Sequence, residues 1–273
     1  MCQWFGQGDH WILEGLPVYV AIDRKPEKGF EIQNAECGRS GLMLQFRIVS
    51  TAEHRQQMAT GDDDGLPHGT AVLRKLVDAW AGSRRVVCAN VSFASVTAAQ
   101  QLLGMGLRFI GVIKTATSGF PMSSLSKIPL EARGQHVSYT HSTADGVPDL
   151  MAAVWVDRDR RCFIAFASSI LAGTRYNRLR LRQRDVTVFC VTLTVPQLVV
   201  AETSYGCCAQ IDQHTCCRQD DLRLENKLVT QDWSMRVNRF LLGMCVVDAW
   251  LLYSGARGGG AHRTQNEFYE DLA

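Results

Sequence analysis

Two short, almost wholly apolar runs separated by a helical segment constrain this chain more than any other feature. RRVVCA (84–89) and LRFIGVIK (107–114) show no polar alternation, which is the pattern of strands covered on both faces. Between them Ser95 is placed to N-cap a helix running through Leu103 and stopped by Gly104 and Gly106. Strand, helix and strand in about thirty residues form a β-α-β unit, so the chain is expected to hold an α/β core. Upstream, PVYVAIDR (17–24) and GLMLQFRIVS (41–50) read as strands, and Asp62-Asp63-Asp64-Gly65 reads as a loop. Thr70 precedes a predicted helix with Val72, Leu73, Leu76, Val77 and Trp80 on one face.

Beyond Gly119 the pattern changes. HVSYTH, LMAAVWVD, RCFIAFASS and VTVFCVTLTV are β-like, with a hairpin at Asp157-Arg158-Asp159-Arg160. Helices return from Tyr205, and the last strong one, near 235–254, is apolar nearly all round and is expected to be buried. The expected organisation is a first part of the core over 1–118, a β-rich insertion over 119–202 that packs against the core as its own layer, a helical remainder over 203–255, and a Gly-rich, disordered tail over 256–273.

Composition excludes several classes. With 46% hydrophobic residues in 273, the chain can bury a real core and is not a disordered tail. Its formal charge of +2 is small for a protein that grips a long duplex by charge neutralisation alone. The ten cysteines are scattered through apolar runs and the N-terminus MCQWFGQGDH carries no apolar signal core, so reduced thiols in an intracellular protein are expected. FLLGMCVVDAWLLY, the most apolar stretch, is flanked by Arg239 and interrupted by Asp248, and reads as a core helix rather than a membrane span.

Four motifs in order carry a family resemblance. VVCANVSFASVTAAQQLLGMGLRFIGVIKT (86–115) resembles the piggyBac transposase pattern, with Phe93, Ser95, Leu102, Leu103, Phe109, Gly111, Lys114 and Thr115 in the places of its D-x-[WY]-F-x-S, helix and FxGxVKT signatures. IDRKPEKGFEI (22–32) resembles the turn that precedes it, and AQIDQHTCCRQDDL (209–222) resembles the later GGVDxxDQ segment. Asp232-Trp233 and the apolar helix to Tyr253 follow in family order. The resemblance implies an RNase H-like (DDE transposase) α/β core with a β-rich insertion, incomplete at its N-terminal edge. It also implies a nuclear location and DNA as the partner.

Such transposases use three Asp side chains to hold two Mg²⁺ ions, one activating the attacking oxygen and one stabilising the leaving oxygen. By the resemblance, the first Asp would lie on a strand before Met1, Asn90 stands in place of the second, and Asp212 matches the third. An amide oxygen brings no negative charge to a metal, so the chain is expected to be catalytically inactive and without a bound cofactor. A surviving site would need a recruited carboxylate, such as Asp23 or Asp64. Bland roles compete for each residue: Asp212 as a helix N-cap, Asp23 as a turn residue, and Asp62, Asp63 and Asp64 as a solvated loop. Cys207, Cys208, Cys216, Cys217 and His214 have the spacing CC-x7-CC, which suits thiols better than a zinc site. Arg175, Arg178, Arg180, Arg182 and Arg184 would form a basic stripe on a strand, either tracking phosphates or facing solvent.

Overall fold

The computed structural model describes residues 2–4, 29–48, 65–113, 117–142, 148–157, 160–167, 174–181, 191–228, 230–256 and 264–272. The predicted strand at 17–24 and the loop acids Asp62, Asp63 and Asp64 lie outside them, as do Asp23, Lys114 and Thr115. The chain forms two compact units, residues 65–206 and residues 1–64 with 207–273.

The unit of residues 65–206 is built on the predicted β-α-β element. Strands β4 (Val86–Ala89) and β5 (Arg108–Val112) pair in parallel, with Val86 opposite Arg108 and Ala89 opposite Gly111. The crossover helix α2 (Val96–Gly104) starts where expected, and the Ser95 hydroxyl accepts from the Ala98 amide at 3.0 Å. Helix α1 (His68–Val77) begins just after Pro67, three residues before the expected start, and buries Val72, Leu73, Leu76 and Val77. Proline is preorganised for a helix start and has no amide to leave unpaired there.

The segment expected to fold as its own layer instead extends this sheet. Strands β6 (His136–Ser142), β7 (Pro148–Asp157) and β8 (Arg160–Ala167) form an antiparallel meander, and β8 pairs with β5 to give the order β4-β5-β8-β7-β6. The reason is an open edge: β5 is apolar on both faces, and its far edge needs a hydrogen-bonding partner. Behind the sheet Ile110, Ala153 and Trp155 share a core with Leu198, Val200 and Ala201. Strands β9 (Thr174–Leu181) and β10 (Val191–Leu198) form a separate two-stranded ribbon.

In the other unit, β1 (Cys2–Trp4), β2 (Gly29–Glu36) and β3 (Met43–Ile48) form an antiparallel sheet of that order. Only β3 coincides with a sequence-derived strand; β2 occupies the end of the segment read as a turn. The single turn α3 (Met122–Leu125) and the start of helix α4 (Val199–Cys216) belong to the unit of residues 65–206; from residue 207 α4 belongs to this one, where it continues into a π-helical segment (Cys217–Leu222), the single turn α5 (Leu224–Lys227) and the long α6 (Trp233–Ala256). Asp232 starts α6 by accepting from the Ser234 amide at 2.7 Å and its hydroxyl at 2.8 Å. Ile32, Val237, Phe240 and Met244 form the core between sheet and helix.

Two sequence expectations fail here. Helix α6 is buried on one face only, with Leu242 and Leu252 exposed. The tail is partly ordered: α7 (Gln265–Leu272) sets Phe268 against Trp250 and Tyr253, with ring centroids 5.4 and 5.1 Å apart. Aromatic burial outweighs the cost of ordering eight residues only because α6 offers it a ready aromatic surface.

Gly111 is the tightest point of the parallel pair. A Cβ there would sit 2.5 Å from the Phe109 ring and 2.7 Å from the Ala94 methyl. Gly111→Ala is expected to destabilise the protein by about 1–3 kcal/mol through overpacking, read as a lower urea midpoint at unchanged m-value.

Candidate functional site

Ligand-binding groups in α/β sheets gather at the carboxyl ends of parallel strands, where side chains leave the core. Asn90 occupies that place. It follows the buried Ala89 of β4, is itself exposed, and its carbonyl accepts from the Phe93 amide at 2.9 Å and the Ala94 amide at 3.0 Å. This turn is packed from two sides. Gly69 at the start of α1 allows close approach of the Ser92 carbonyl, 3.0 Å from a Cβ built there, while Gly111 admits Ala94. The hydroxyls of Thr70 and Ser95 lie 3.3 Å apart and tie α1 to the start of α2. The backbone around Asn90 is therefore fixed, while its amide faces solvent.

Asp212 lies in the interior of α4, exposed, and not at an N-cap. A mid-helix position has its amide already bonded within the helix, so the carboxylate has no capping task. It belongs to the unit of residues 207–273, whereas Asn90 belongs to the other.

The cysteines of this helix have different surroundings. Cys207 lies against Gly38, Cys217 is buried with Leu222 and Val247, and Cys208 and Cys216 are exposed. Burial, then Cys207 and Asp212, push the Cys208 thiol up. Among the described residues no three His, Cys, Asp or Glu side chains converge as a metal-binding group.

The basic stripe is partly described. β9 pairs Arg180 with Thr192, Arg178 with Thr194 and Arg175 with Gln197. Arg178 and Arg180 are two residues apart and share one strand face, but Arg175 is three from Arg178 and falls out of phase. Arg182 and Arg184 lie outside the described residues.

Sequence reasoning missed a buried polar cluster in the unit of residues 207–273. His214, 1% exposed, places Nε2 3.3 Å from Asp248 Oδ1, and that oxygen also accepts from the Met43 amide at 3.0 Å. The ring nitrogens of His214 have no aligned hydrogen bond among the described residues. Glu36, at the end of β2, accepts from Asn34 at 2.8 Å while its second oxygen is buried. Nearby, Arg218 of the π segment is fully buried, its guanidinium 4.5 Å from the Phe240 ring centroid. Burial and then Arg236 lower its pKa to about 10, and Gly243 makes room for its stem. One signal was available: Asp248 interrupts a long apolar run, and an acid there needs a partner.

The fold is that of an RNase H-like, DDE-type transposase core. The family model described as Transposase IS4 matches residues 14–250, and the chain belongs to that family. Among solved structures it is similar to the piggyBac transposase of a cryo-EM synaptic complex with hairpin DNA, with a TM-score of 0.67 at 14% identity over 94% of this chain and 48% of that one. The chain thus spans about half the length of that transposase. No curated protein matches it by sequence. The family and fold agree with the piggyBac resemblance carried by the four sequence motifs.

Glu36 makes stability depend on pH. Burial is the largest influence and, with the Asp248 charge, outweighs His214, raising its pKa from 4.5 to about 7. A raised carboxyl stabilises the fold in its protonated form, so its contribution is complete below pH 4.5 and is lost as the pH rises through about 7. Glu36→Gln is expected to flatten that part of the stability–pH curve, measured by denaturant titration from acid to neutral pH. Asp248→Ala leaves the Met43 amide without its acceptor and is expected to cost about 1–3 kcal/mol in the same assay.

Proposed function

We propose that this chain is a transposase-derived, DNA-associating domain that does not cleave or join DNA. One observation carries the reading: a neutral amide, Asn90, stands at the carboxyl end of β4, where the piggyBac resemblance puts a metal-binding Asp. Its fixed backbone and exposed side chain are what a ligand position needs; only the charge is wrong. At about 4 Å one charge pair is worth on the order of 4 kcal/mol in a moderately screened site, close to three orders of magnitude in rate. Asp212, which matches the third family Asp, is one negative ligand, too few to hold two dications beside a polyanionic substrate.

DNA association is supported by the family and by Arg175, Arg178 and Arg180 on β9. The overall charge of +2 argues for a local contact rather than a long electrostatic track. Such a protein would act in the nucleus by occupying DNA.

Purified chain with Mg²⁺ or Mn²⁺ is expected to leave transposon-end duplexes uncut, and Asn90→Asp alone is not expected to restore cutting, because carboxylates of one metal site act together. Nuclease-free protein that cuts DNA and loses cutting on Asp212→Ala would replace this reading with that of an active enzyme using a recruited carboxylate. For binding, Arg178→Gln with Arg180→Gln is expected to weaken duplex affinity and lower the salt slope by about 2 in fluorescence anisotropy, with no change in sequence preference.

A further inference from the structure

The aromatic surface near the end of α6 is covered, and its cover is α7, which lies beyond residue 250 where the family match ends. Phe268 rests on Trp250 and Tyr253, with ring centroids 5.4 and 5.1 Å apart, and Tyr269 packs on the core of Cys217, Leu222 and Val247. Gln265 Nε2 donates at 3.3 Å to the carbonyl of Cys217, the first residue of the π segment. These three positions, at i, i+3 and i+4, share one helix face. Glu267, Glu270 and Asp271 occupy the other face and are exposed.

Little holds α7 in place. None of its residues is buried, and Leu272 is 59% exposed. A helix of eight residues is marginal in water by itself. Its own support is a capping box, in which the Thr264 amide donates to Glu267 at 2.6 Å and the Glu267 amide donates to Thr264 at 3.3 Å. Two half-buried rings therefore stand against the cost of ordering the whole helix, and docked and undocked states lie close in free energy.

We propose that the face formed by Trp250, Tyr253 and the Cys217 carbonyl is a docking site for a short amphipathic helix of a partner protein, and that α7 is its built-in competitor. The chemistry such a partner needs is the chemistry α7 presents: two adjacent aromatic rings and an amide donor one turn before them. That is recognition of a helix laid in a groove, with anchors at i, i+3 and i+4. Trp and Tyr are also the side chains that carry most energy in such contacts. Residues 257–263, with Gly258, Gly259 and Gly260, tether α7 to α6. A short Gly-rich tether sets a local concentration of about 1 mM. Against a free helix with a Kd of about 0.1 mM for the same face, α7 then wins about ten times out of eleven. A partner that binds more tightly displaces it. This docking is independent of whether the protein cuts DNA.

A fluorescein-labelled peptide of residues 264–272 is the probe, titrated into the full chain and followed by anisotropy. The full chain carrying Phe268→Ser and Tyr269→Ser, whose α7 no longer competes, is expected to bind the probe about tenfold more tightly than the unsubstituted chain. Adding Trp250→Ala is expected to abolish that binding. Equal binding by the two chains, no binding by the substituted chain with its thermal transition retained, or binding that survives Trp250→Ala overturns the proposal. Hydrogen exchange of the unsubstituted chain is a second test that needs no variant to fold. The α7 amides are expected to be protected only about tenfold over an unstructured peptide, and those on the buried face of α6 far more. Amides of α7 protected as strongly as those of α6 would make it a fixed part of the core and overturn the proposal.

Discussion

The parallel pairing of β4 and β5 depends on the absence of one side chain. Gly111 lets the Phe109 ring and Ala94 occupy the space a Cβ would take, and Ala94 belongs to the turn that follows Asn90. The edge strand β4 and the loop at its carboxyl end are therefore packed as one object with β5. From there β5 offers its far edge to β8, and the whole meander of β8, β7 and β6 is added to the sheet. The turn at Asn90 is rigid for the same reason.

The second unit rests on groups that are costly to bury. Asp248 takes up the Met43 amide and the His214 ring, joining β3, α4 and α6, while Glu36 remains close enough to respond to both. Arg218 sits on the Phe240 face in a space left by Gly243. Apolar contact alone would hold these helices together with little preference for register. The Met43 amide on Asp248 adds a directional contact between β3 and α6 that a shifted helix would lose.

On the proposed reading, the transposase fold and the neutral amide of Asn90 bear on function in opposite ways. The fold preserves what positions a ligand: a strand end, a capped crossover helix and a fixed turn. The amide withdraws what makes that position useful to a dication. Under the function proposed above, a scaffold kept while its chemistry is withdrawn suits a protein that acts by occupying DNA.

The sequence by itself determined the β-α-β unit, because two all-apolar runs around a Ser-capped helix can satisfy their backbone and bury their side chains in few other ways. It also determined the start of α6 at Asp232 and the character of position 90, since residue identity fixes charge. Only the tertiary structure decided where the later strands went: β6, β7 and β8 read equally well as a separate layer, and pairing with an open edge of β5 is a non-local choice. It likewise turned an apolar helix into one buried face and one exposed face, ordered α7 on an aromatic surface, and put His214 beside Asp248. Those outcomes depend on which surfaces meet, and a pattern along one chain records what each surface is but not what it touches.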